Sequence, residues 1–129
     1  GTGASIPSVC PAWSATTAII YMGDSNYRYF NHSPVDVDDG NWHFTCFVLP
    51  GSAQTDINNS VMYADGQVQT VSSTVATAGQ SAKTGPIIIG YTNASRYWKG
   101  PIGEVMLFNR AITFREYLNI YQATKWRYQ

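Results

Sequence analysis

Two stretches of this 129-residue chain combine aromatic rings with amide, carboxylate and guanidinium groups, the mixture of side chains that holds sugars. A sugar ring presents apolar C–H faces, which stack on aromatic rings, and hydroxyls, which hydrogen-bonding side chains orient. Any single one of these residues is more simply read as decoration of a β-surface. As a cluster, however, they predict a carbohydrate site. The predicted ligand contacts are Asp24, Asn26, Tyr27, Arg28, Asn93, Arg96 and Tyr97.

Catalysis on a glycosidic bond needs two carboxyl groups on either side of that bond. Residues two or four positions apart on a β-strand point to the same face, so two carboxylates at that spacing could meet in one cleft. The only glutamates are Glu104 and Glu116, and neither has a carboxylate partner at that spacing. The G-x-S-x-G motif of hydrolases is also absent. The sequence therefore predicts a protein that is not an enzyme and has no cofactor, with Glu104 in a structural hydrogen bond and His43 in packing.

Three aspartates, Asp36, Asp38 and Asp39, precede Gly40 and offer oxygen ligands. A calcium ion takes about six to eight oxygens, usually from several loops, and an EF-hand loop ends in a glutamate that is missing here. We therefore predict that these aspartates cap turns and that the chain has no metal site.

The elements that must position these residues are mostly strands. Apolar alternation with a period of two marks residues 42–49, and Asp65-Gly66 predicts a type I′ hairpin, whose two central residues need positive φ. A weak strand is expected around residues 74–77. The other predicted strands are residues 18–22, 27–31, 61–64, 67–71, 87–89 (short and buried) and 103–109.

One helix is predicted near the end of the chain. Thr113 and Glu116 have the spacing of a capping box, in which each residue bonds the backbone of the other. The apolar residues that follow at helical spacing are Phe114, Tyr117, Leu118 and Tyr121. Trp126 and Tyr128 are expected to form a closing strand or to lie on the neighbouring surface.

A series of short motifs over residues 39–121, roughly two thirds of the chain, resembles a known family. The motifs are Asp39-Gly40-Asn41-Trp42-His43, Met62-Tyr63-Ala64-Asp65-Gly66, Ile88-Ile89-Gly90-Tyr91, Trp98-Lys99-Gly100-Pro101-Ile102-Gly103-Glu104-Val105, Phe108-Asn109-Arg110-Ala111-Ile112 and Glu116-Tyr117. They resemble the second half of a laminin-G-like or pentraxin-like domain of the concanavalin A-like lectin/glucanase superfamily. The resemblance implies an all-β fold, an antiparallel β-sandwich of the jelly-roll type with one short C-terminal helix, in which Trp98 is buried. Residues 91–95 stand where pentraxin-like domains hold calcium and contain no acid, so that site is expected to be lost.

The chain has two cysteines, Cys10 and Cys46. One interpretation is two buried thiols. The other is a single disulfide, which implies an oxidising compartment or a virion surface. Pentraxin-like domains carry a bridged cysteine in the strand after the Trp-His pair, and Cys46 resembles it. The two interpretations stay open at this point.

The composition of the chain argues against two classes of binding partner, nucleic acid and membranes. Charged residues make up 12% of the chain and the net charge is zero, whereas nucleic acid and anionic membranes call for a basic patch. No apolar run approaches the length of a membrane span, so membrane insertion is not expected either. The length suits a single domain over residues 1–129, with residues 1–12 as an arm or edge segment.

We therefore expect a non-catalytic carbohydrate-recognition or adhesion module whose partner is a glycan or a cell-surface molecule, displayed extracellularly or on a virion. The alternative is a structural surface or decoration subunit of a virus particle or filament. A sandwich with short first strands leaves sheet edges open, and open edges invite pairing with another chain, including a second copy. A fragment of a glycan-active enzyme is the least favoured interpretation.

Overall fold

The computed structural model describes residues 8–21, 26–51, 54–76, 88–92 and 96–128 of the chain. The strands within these ranges are β1 (Ser8–Ser14), β2 (Thr17–Tyr21), β3 (Tyr27–Asn31), β4 (Thr45–Val48), β5 (Val61–Ala64), β6 (Gln67–Val68), β7 (Val71–Val75), β8 (Tyr91–Thr92) and β9 (Arg96–Tyr97). One sheet has the order β1-β2-β3-β7 and a second has the order β4-β5-β6, while β8 pairs with β9. Every pairing is antiparallel.

The first two sheets enclose an apolar core. Strand alternation turns Ala18, Ile20 and Phe30 of the first sheet inward, and it turns Met62 and Ala64 of the second sheet inward. All five are at most 3% exposed. Ile57, from the short 3-10 helix at Gln54–Asn59, is buried in the same cluster. The predicted antiparallel β-sandwich is confirmed.

The helix α1 (Phe114–Thr124) covers the outer face of the second sheet, followed by a 3-10 helix at Lys125–Tyr128. Tyr117 is fully buried there, against Tyr63 and Val48 of the sheet. Its ring stacks on Phe44 at 5.6 Å and on Tyr63 at 4.8 Å between centroids. The predicted apolar helix face is therefore confirmed, and it makes the second sheet the middle layer of three.

The predicted capping box begins this helix. The Glu116 N–H donates to Thr113 Oγ1 at 3.2 Å, and the Thr113 N–H donates to Glu116 Oε2 at 2.8 Å. Arg110 adds a guanidinium fork to the same carboxylate, at 2.6 and 3.1 Å. The bond from Arg110 and the bonds from Thr113 lower the pKa of Glu116 to about 2. Glu116 thus fixes the start of the helix.

The predicted hairpin joins β5 to β6. Asp65 has φ 45° and Gly66 has φ 84°, the left-handed backbone that a type I′ turn requires at both positions. The Gly66 N–H donates to the Tyr117 hydroxyl at 2.9 Å, and that hydroxyl donates to the Phe44 carbonyl at 3.2 Å. The turn is therefore bonded directly to the helix.

The return strand differs from its prediction over residues 67–71. Only Gln67–Val68 stays in the second sheet, while Val71–Val75 crosses to the first sheet and pairs with β3. At the crossing, the Gln69 N–H bonds Met62 O at 2.9 Å and the Thr70 N–H bonds Ser33 O at 2.9 Å. The chain changes sheets here because the backbone of these two residues has partners on both sides. The weak strand predicted at 74–77 overlaps the end of β7.

Two other predicted strands do not form in the described part of the chain. Residues 88–89 and 103–109 have no ladder partner there, and Ile88 and Leu107 are 54% and 66% exposed. Trp98, expected to be buried, is 42% exposed. The Glu104 N–H donates to the Tyr128 hydroxyl at 3.0 Å instead of to a strand. Residue 87, the start of the first of these predicted strands, lies outside the described residues.

The structure does not form a Cys10–Cys46 disulfide. Cys10 pairs with Ile19, which faces away from the core on the first sheet, whereas Cys46 pairs with Tyr63 on the helix side of the second sheet. The two cysteines therefore point from opposite outer faces of the sandwich, with both sheets between them. Burial raises the pKa of the Cys46 thiol to about 11, so this thiol is unreactive at neutral pH.

Replacing Tyr117 with Phe is expected to destabilise the fold by about 1–3 kcal/mol, because the Gly66 N–H loses its partner and the Phe44 carbonyl keeps only the bond from the Asp65 N–H. Urea denaturation measures the change. Tyr121→Phe is the matched control, since Tyr121 lies on the same helix and its ring stacks on Tyr117 at 6.3 Å. Equal loss in both variants would contradict a specific role for the Tyr117 hydroxyl.

Candidate functional site

Those predicted ligand contacts whose side chains the structure describes do not form one surface. Asn26 is fully buried, and Arg28 donates to the Ser60 carbonyl at 2.6 Å on the inner side of the first sheet. Burial lowers the pKa of Arg28. These two side chains are structural, because their polar groups lie inside the fold. Asp24 and Asn93 lie outside the described residues, and Arg96 pairs with Thr92 in the β8-β9 hairpin.

Tyr27 lies in a row of aromatic rings on the outer face of the first sheet. Centroids are 5.7 Å apart for Trp13–Tyr21, 5.6 Å for Tyr21–Tyr27 and 5.3 Å for Tyr27–Tyr29. Neighbouring rings are inclined by 57–70°, so they do not offer a flat platform on which sugar rings could stack in succession. Ile19 is fully buried on this face. The row therefore acts as packing over the sheet. Tyr97, by contrast, is 67% exposed.

A cleft with a volume of about 150 Å³ lies elsewhere, where the start of β4, the hairpin and the C-terminal helices meet. It lies below the roughly 300–1,000 Å³ of pockets that enclose drug-sized ligands, so it suits one ring or one end of a larger molecule. The lining residues are Trp42, His43, Phe44, Asp65, Gly103, Glu104, Tyr121, Thr124, Lys125 and Tyr128.

His43 joins two carboxylates beside this cleft. Its Nδ1 lies 2.6 Å from Asp65 Oδ2 and its Nε2 lies 2.7 Å from Asp39 Oδ1. Burial opposes protonation of the ring, but the hydrogen bonds and charges of Asp39 and Asp65 outweigh it, so the pKa of His43 is raised. The prediction that His43 only packs is therefore wrong. The same contact, with help from Asn41, holds the pKa of Asp39 far below its usual range.

The predicted turn capping by aspartates is confirmed in the segment before His43. The Asp38 N–H donates to Asp36 Oδ1 at 3.0 Å, and the Asn41 N–H donates to Asp39 Oδ1 at 2.8 Å. Asp39 thus caps its own turn and holds His43 at once. Among the described residues, no group of three or more His, Cys, Asp or Glu side chains is placed to hold a metal ion.

The apolar wall of the cleft is formed by Trp42 and Tyr128. Their ring centroids are 4.8 Å apart with planes inclined by 33°, and Trp42 remains 46% exposed. The Tyr128 hydroxyl accepts the Glu104 N–H, so the extended segment before the helix is held against the 3-10 helix after it. An exposed indole thus stands beside polar groups.

Charged groups form the rim of the cleft. Glu104 Oε2 accepts from Arg127 Nη1 at 2.7 Å, an ion pair that is exposed on both sides. The predicted structural role of Glu104 therefore takes the form of this pair together with its backbone bond to Tyr128. The Lys125 ammonium lies 5.6 Å from the Tyr121 ring centroid. The cleft thus offers an acceptor, a donor and an aromatic face within one small volume.

A comparison with known protein families agrees with this fold. The family model described as the concanavalin A-like lectin/glucanases superfamily, of the laminin G type, matches residues 11–116, and the chain belongs to this family. No curated protein and no solved structure is a significant match. Among the described residues, no helix has the length and apolar character needed to cross a bilayer.

Sequence patterns alone did not assemble the cleft, because its residues come from positions 42 to 128. The sequence did contain one local signal for the contacts of His43. Asp39 stands four residues before His43 in the same motif, and Asp65 is a second carboxylate, at the turn of the next motif. Trp126 and Tyr128 were expected in a closing strand or on the neighbouring surface. Tyr128 lies in a 3-10 helix, and its ring packs against Trp42. No periodicity in the sequence predicts this contact.

Gly103→Ala is expected to disturb the apolar wall. A Cβ at this position would lie 2.7 Å from the Tyr128 hydroxyl oxygen, so that ring must move and its bond to Glu104 weakens. We expect about 1 kcal/mol of destabilisation and shifted NMR signals from the Trp42 indole. Gly100→Ala is the control, since its Cβ would come no closer than 3.2 Å to the exposed Trp98 ring. Unchanged Trp42 signals in Gly103→Ala would contradict the described contact.

Proposed function

We propose that this chain is a non-catalytic carbohydrate-recognition module and that the cleft beside Trp42 receives the sugar. The supporting observation is an indole that is 46% exposed and stands next to His43, Asp65, Glu104 and Lys125. An apolar sugar face would rest on the indole, while its hydroxyls bond the polar rim. Membership of the concanavalin A-like superfamily supports a lectin-like fold, although a fold does not by itself identify a ligand.

A role without catalysis agrees with the state of the carboxyl groups. A glycosidase needs one carboxyl group whose pKa is raised, so that it donates a proton at working pH. The carboxyl groups with a clear shift here, Asp39 and Glu116, have lowered pKa values because hydrogen bonds stabilise their charged forms. Asp65 and Glu104, which line the cleft, are occupied by bonds to His43 and Arg127. These carboxylates would therefore orient a ligand by accepting hydrogen bonds.

Display outside a cell or on a virus particle is part of this proposal. Recognition of a surface glycan requires an exposed site, and a chain with 12% charged residues and no net charge lacks the excess of positive charge that favours binding to nucleic acid. Tyr97 is exposed and remains a candidate for an additional contact to a longer glycan.

Trp42→Ala is expected to weaken binding of a glycan roughly tenfold or more, because the loss of an aromatic stacking face removes about 1.5 kcal/mol. The ligand is first found on a glycan array, and affinity is then measured by isothermal titration calorimetry. Trp126→Ala is the matched control: Trp126 is 67% exposed but does not line the cleft. Failure of the folded wild type to bind any glycan, or equal effects of both variants, would refute the proposed site.

The second candidate function is that of an assembly subunit that pairs with further copies of the same chain. One observation favours it: the segment from residue 97 to residue 108 is rich in large exposed apolar side chains. They are Tyr97, Trp98, Ile102, Val105, Leu107 and Phe108, exposed by 42–67%. Extended backbone with apolar side chains pairs readily with another chain. With a net charge of zero, copies do not repel each other at long range.

If this segment joins copies, Leu107→Asp is expected to convert oligomers into monomers, because a carboxylate in an apolar contact must be desolvated. Multi-angle light scattering over a concentration series measures the mass. Trp126→Asp serves as the control, since that residue is equally exposed at 67% and lies outside the segment. A wild type that is monomeric at every concentration would eliminate this second function.

A further inference from the structure

The two ring nitrogens of His43 both face carboxylate oxygens. Nδ1 lies 2.6 Å from Asp65 and Nε2 lies 2.7 Å from Asp39. A neutral imidazole has one N–H and one lone pair, so either neutral tautomer would point a lone pair at a carboxylate. Only the imidazolium donates to both. The geometry therefore requires the charged form of His43 in this conformation.

His43 also connects two parts of the chain that build the cleft. Asp39 belongs to the segment that leads into Trp42, whereas Asp65 belongs to the hairpin. Asp65 Oδ1 accepts the Phe44 N–H at 2.8 Å, and the Asp65 N–H donates to the Phe44 carbonyl at 3.1 Å. Once His43 loses one proton, its neutral ring keeps a single N–H and donates to only one of the two carboxylates, so the bridge between the hairpin and the Asp39 turn is broken, whereas the hairpin keeps its bonds to Phe44. Trp42 lies in the sequence between Asp39, which contacts His43, and Phe44, which is bonded to Asp65.

We infer that His43 is a pH-dependent clamp of the cleft: its imidazolium holds the Trp42 wall closed, and loss of the proton releases that wall and weakens ligand binding. The part of this inference that concerns ligands rests on the proposed carbohydrate function. The part that concerns the wall does not, because it follows from the contacts of His43 alone.

The direction of the pH dependence follows from the pKa shifts of His43 and of its partner Asp39. Because the pKa of His43 is raised above its ordinary value of about 6.5, the clamp is complete below that value and is lost as the pH rises through the raised pKa. Because the pKa of Asp39 is lowered, its contribution is complete above about 3.9 and is lost only in stronger acid. The cleft is thus closed from mildly acidic pH up to the point where His43 loses its proton.

The other titratable groups near His43 have contacts of their own. Glu104 is paired with Arg127, and Lys125 lies over the Tyr121 ring. Burial raises the pKa of Tyr117 and that of Tyr121, so both phenols stay neutral while His43 titrates. The nearby Cys46 thiol has a pKa raised to about 11 by burial. His43 is therefore the group whose protonation state makes the Trp42 wall sensitive to pH.

The other histidine of the chain provides an internal comparison. His32 Nε2 lies 3.0 Å from the Pro11 carbonyl oxygen, a contact that a neutral ring can make by donating. Its Nδ1 lies 3.3 Å from Asp36 Oδ1, longer than either contact of His43. His32 thus does not share the short double contact, and its signals serve as a reference in the same sample.

The experiment follows both imidazole rings and the Trp42 indole N–H by NMR from pH 5 to pH 9, in the wild type and in Asp39→Asn. Asp39 does not line the cleft, and Asn keeps its shape while removing its charge. We expect His43 to keep its proton above the ordinary imidazole range, the Trp42 signal to move with the same midpoint, and both midpoints to fall together in Asp39→Asn. A Trp42 signal that ignores the His43 titration, or a His43 midpoint within or below the ordinary range, would overturn the inference.

The binding arm uses a panel of methyl glycosides of neutral and acidic hexoses, measured by saturation-transfer NMR at the same pH values. Affinity is expected to fall roughly tenfold across the His43 titration, the size of effect that loss of one charged hydrogen bond produces. Constant affinity across that titration would overturn the clamp while leaving the carbohydrate function intact. If no glycoside binds at any pH, the proposed carbohydrate function fails. The NMR titration of the Trp42 signal then still tests whether His43 acts as a clamp.

Discussion

The hairpin turn at Asp65 and Gly66 is the point on which the other contacts of the cleft depend. Its left-handed backbone exposes one carboxylate and one N–H toward the same side of the second sheet. The carboxylate bonds Phe44 and His43, while the N–H bonds the buried hydroxyl of Tyr117. A two-residue turn thereby fixes the start of β4 and the position of α1.

This arrangement explains why the cleft lies at one end of the three layers. The stacked rings of Phe44, Tyr63 and Tyr117 fill the space between sheet and helix. Phe44 also lines the cleft, together with Trp42 and Tyr128, whose rings lie against each other while Trp42 stays 46% exposed. Aromatic surface exposed beside paired charges is poorly solvated compared with a polar surface, so a ligand with an apolar face and many hydroxyls gains most from covering it.

Features that depend on neighbours in sequence were predictable. The hairpin and the capping box follow from residue types at fixed spacing, and both form with the expected geometry. The strand at residues 27–31 followed from alternation, and its Phe30 lies in the core of the sandwich. The cleft was not predictable in this way, because Trp42 and Tyr128 are far apart in sequence and meet only after the helix packs. Residues 103–109 alternate like a strand, but they have no ladder partner among the described residues, and Leu107 and Phe108 are exposed.

We propose that recognition occurs at the cleft beside Trp42 rather than on the aromatic row that contains Tyr27. Backbone and indole NMR shifts, mapped while a methyl glycoside is added at pH 6, test it directly. We expect the perturbed signals to cluster at Trp42, Gly103 and Lys125. Perturbations centred on Tyr27 and the outer face of the first sheet, or saturable binding without any change at Trp42, would contradict it.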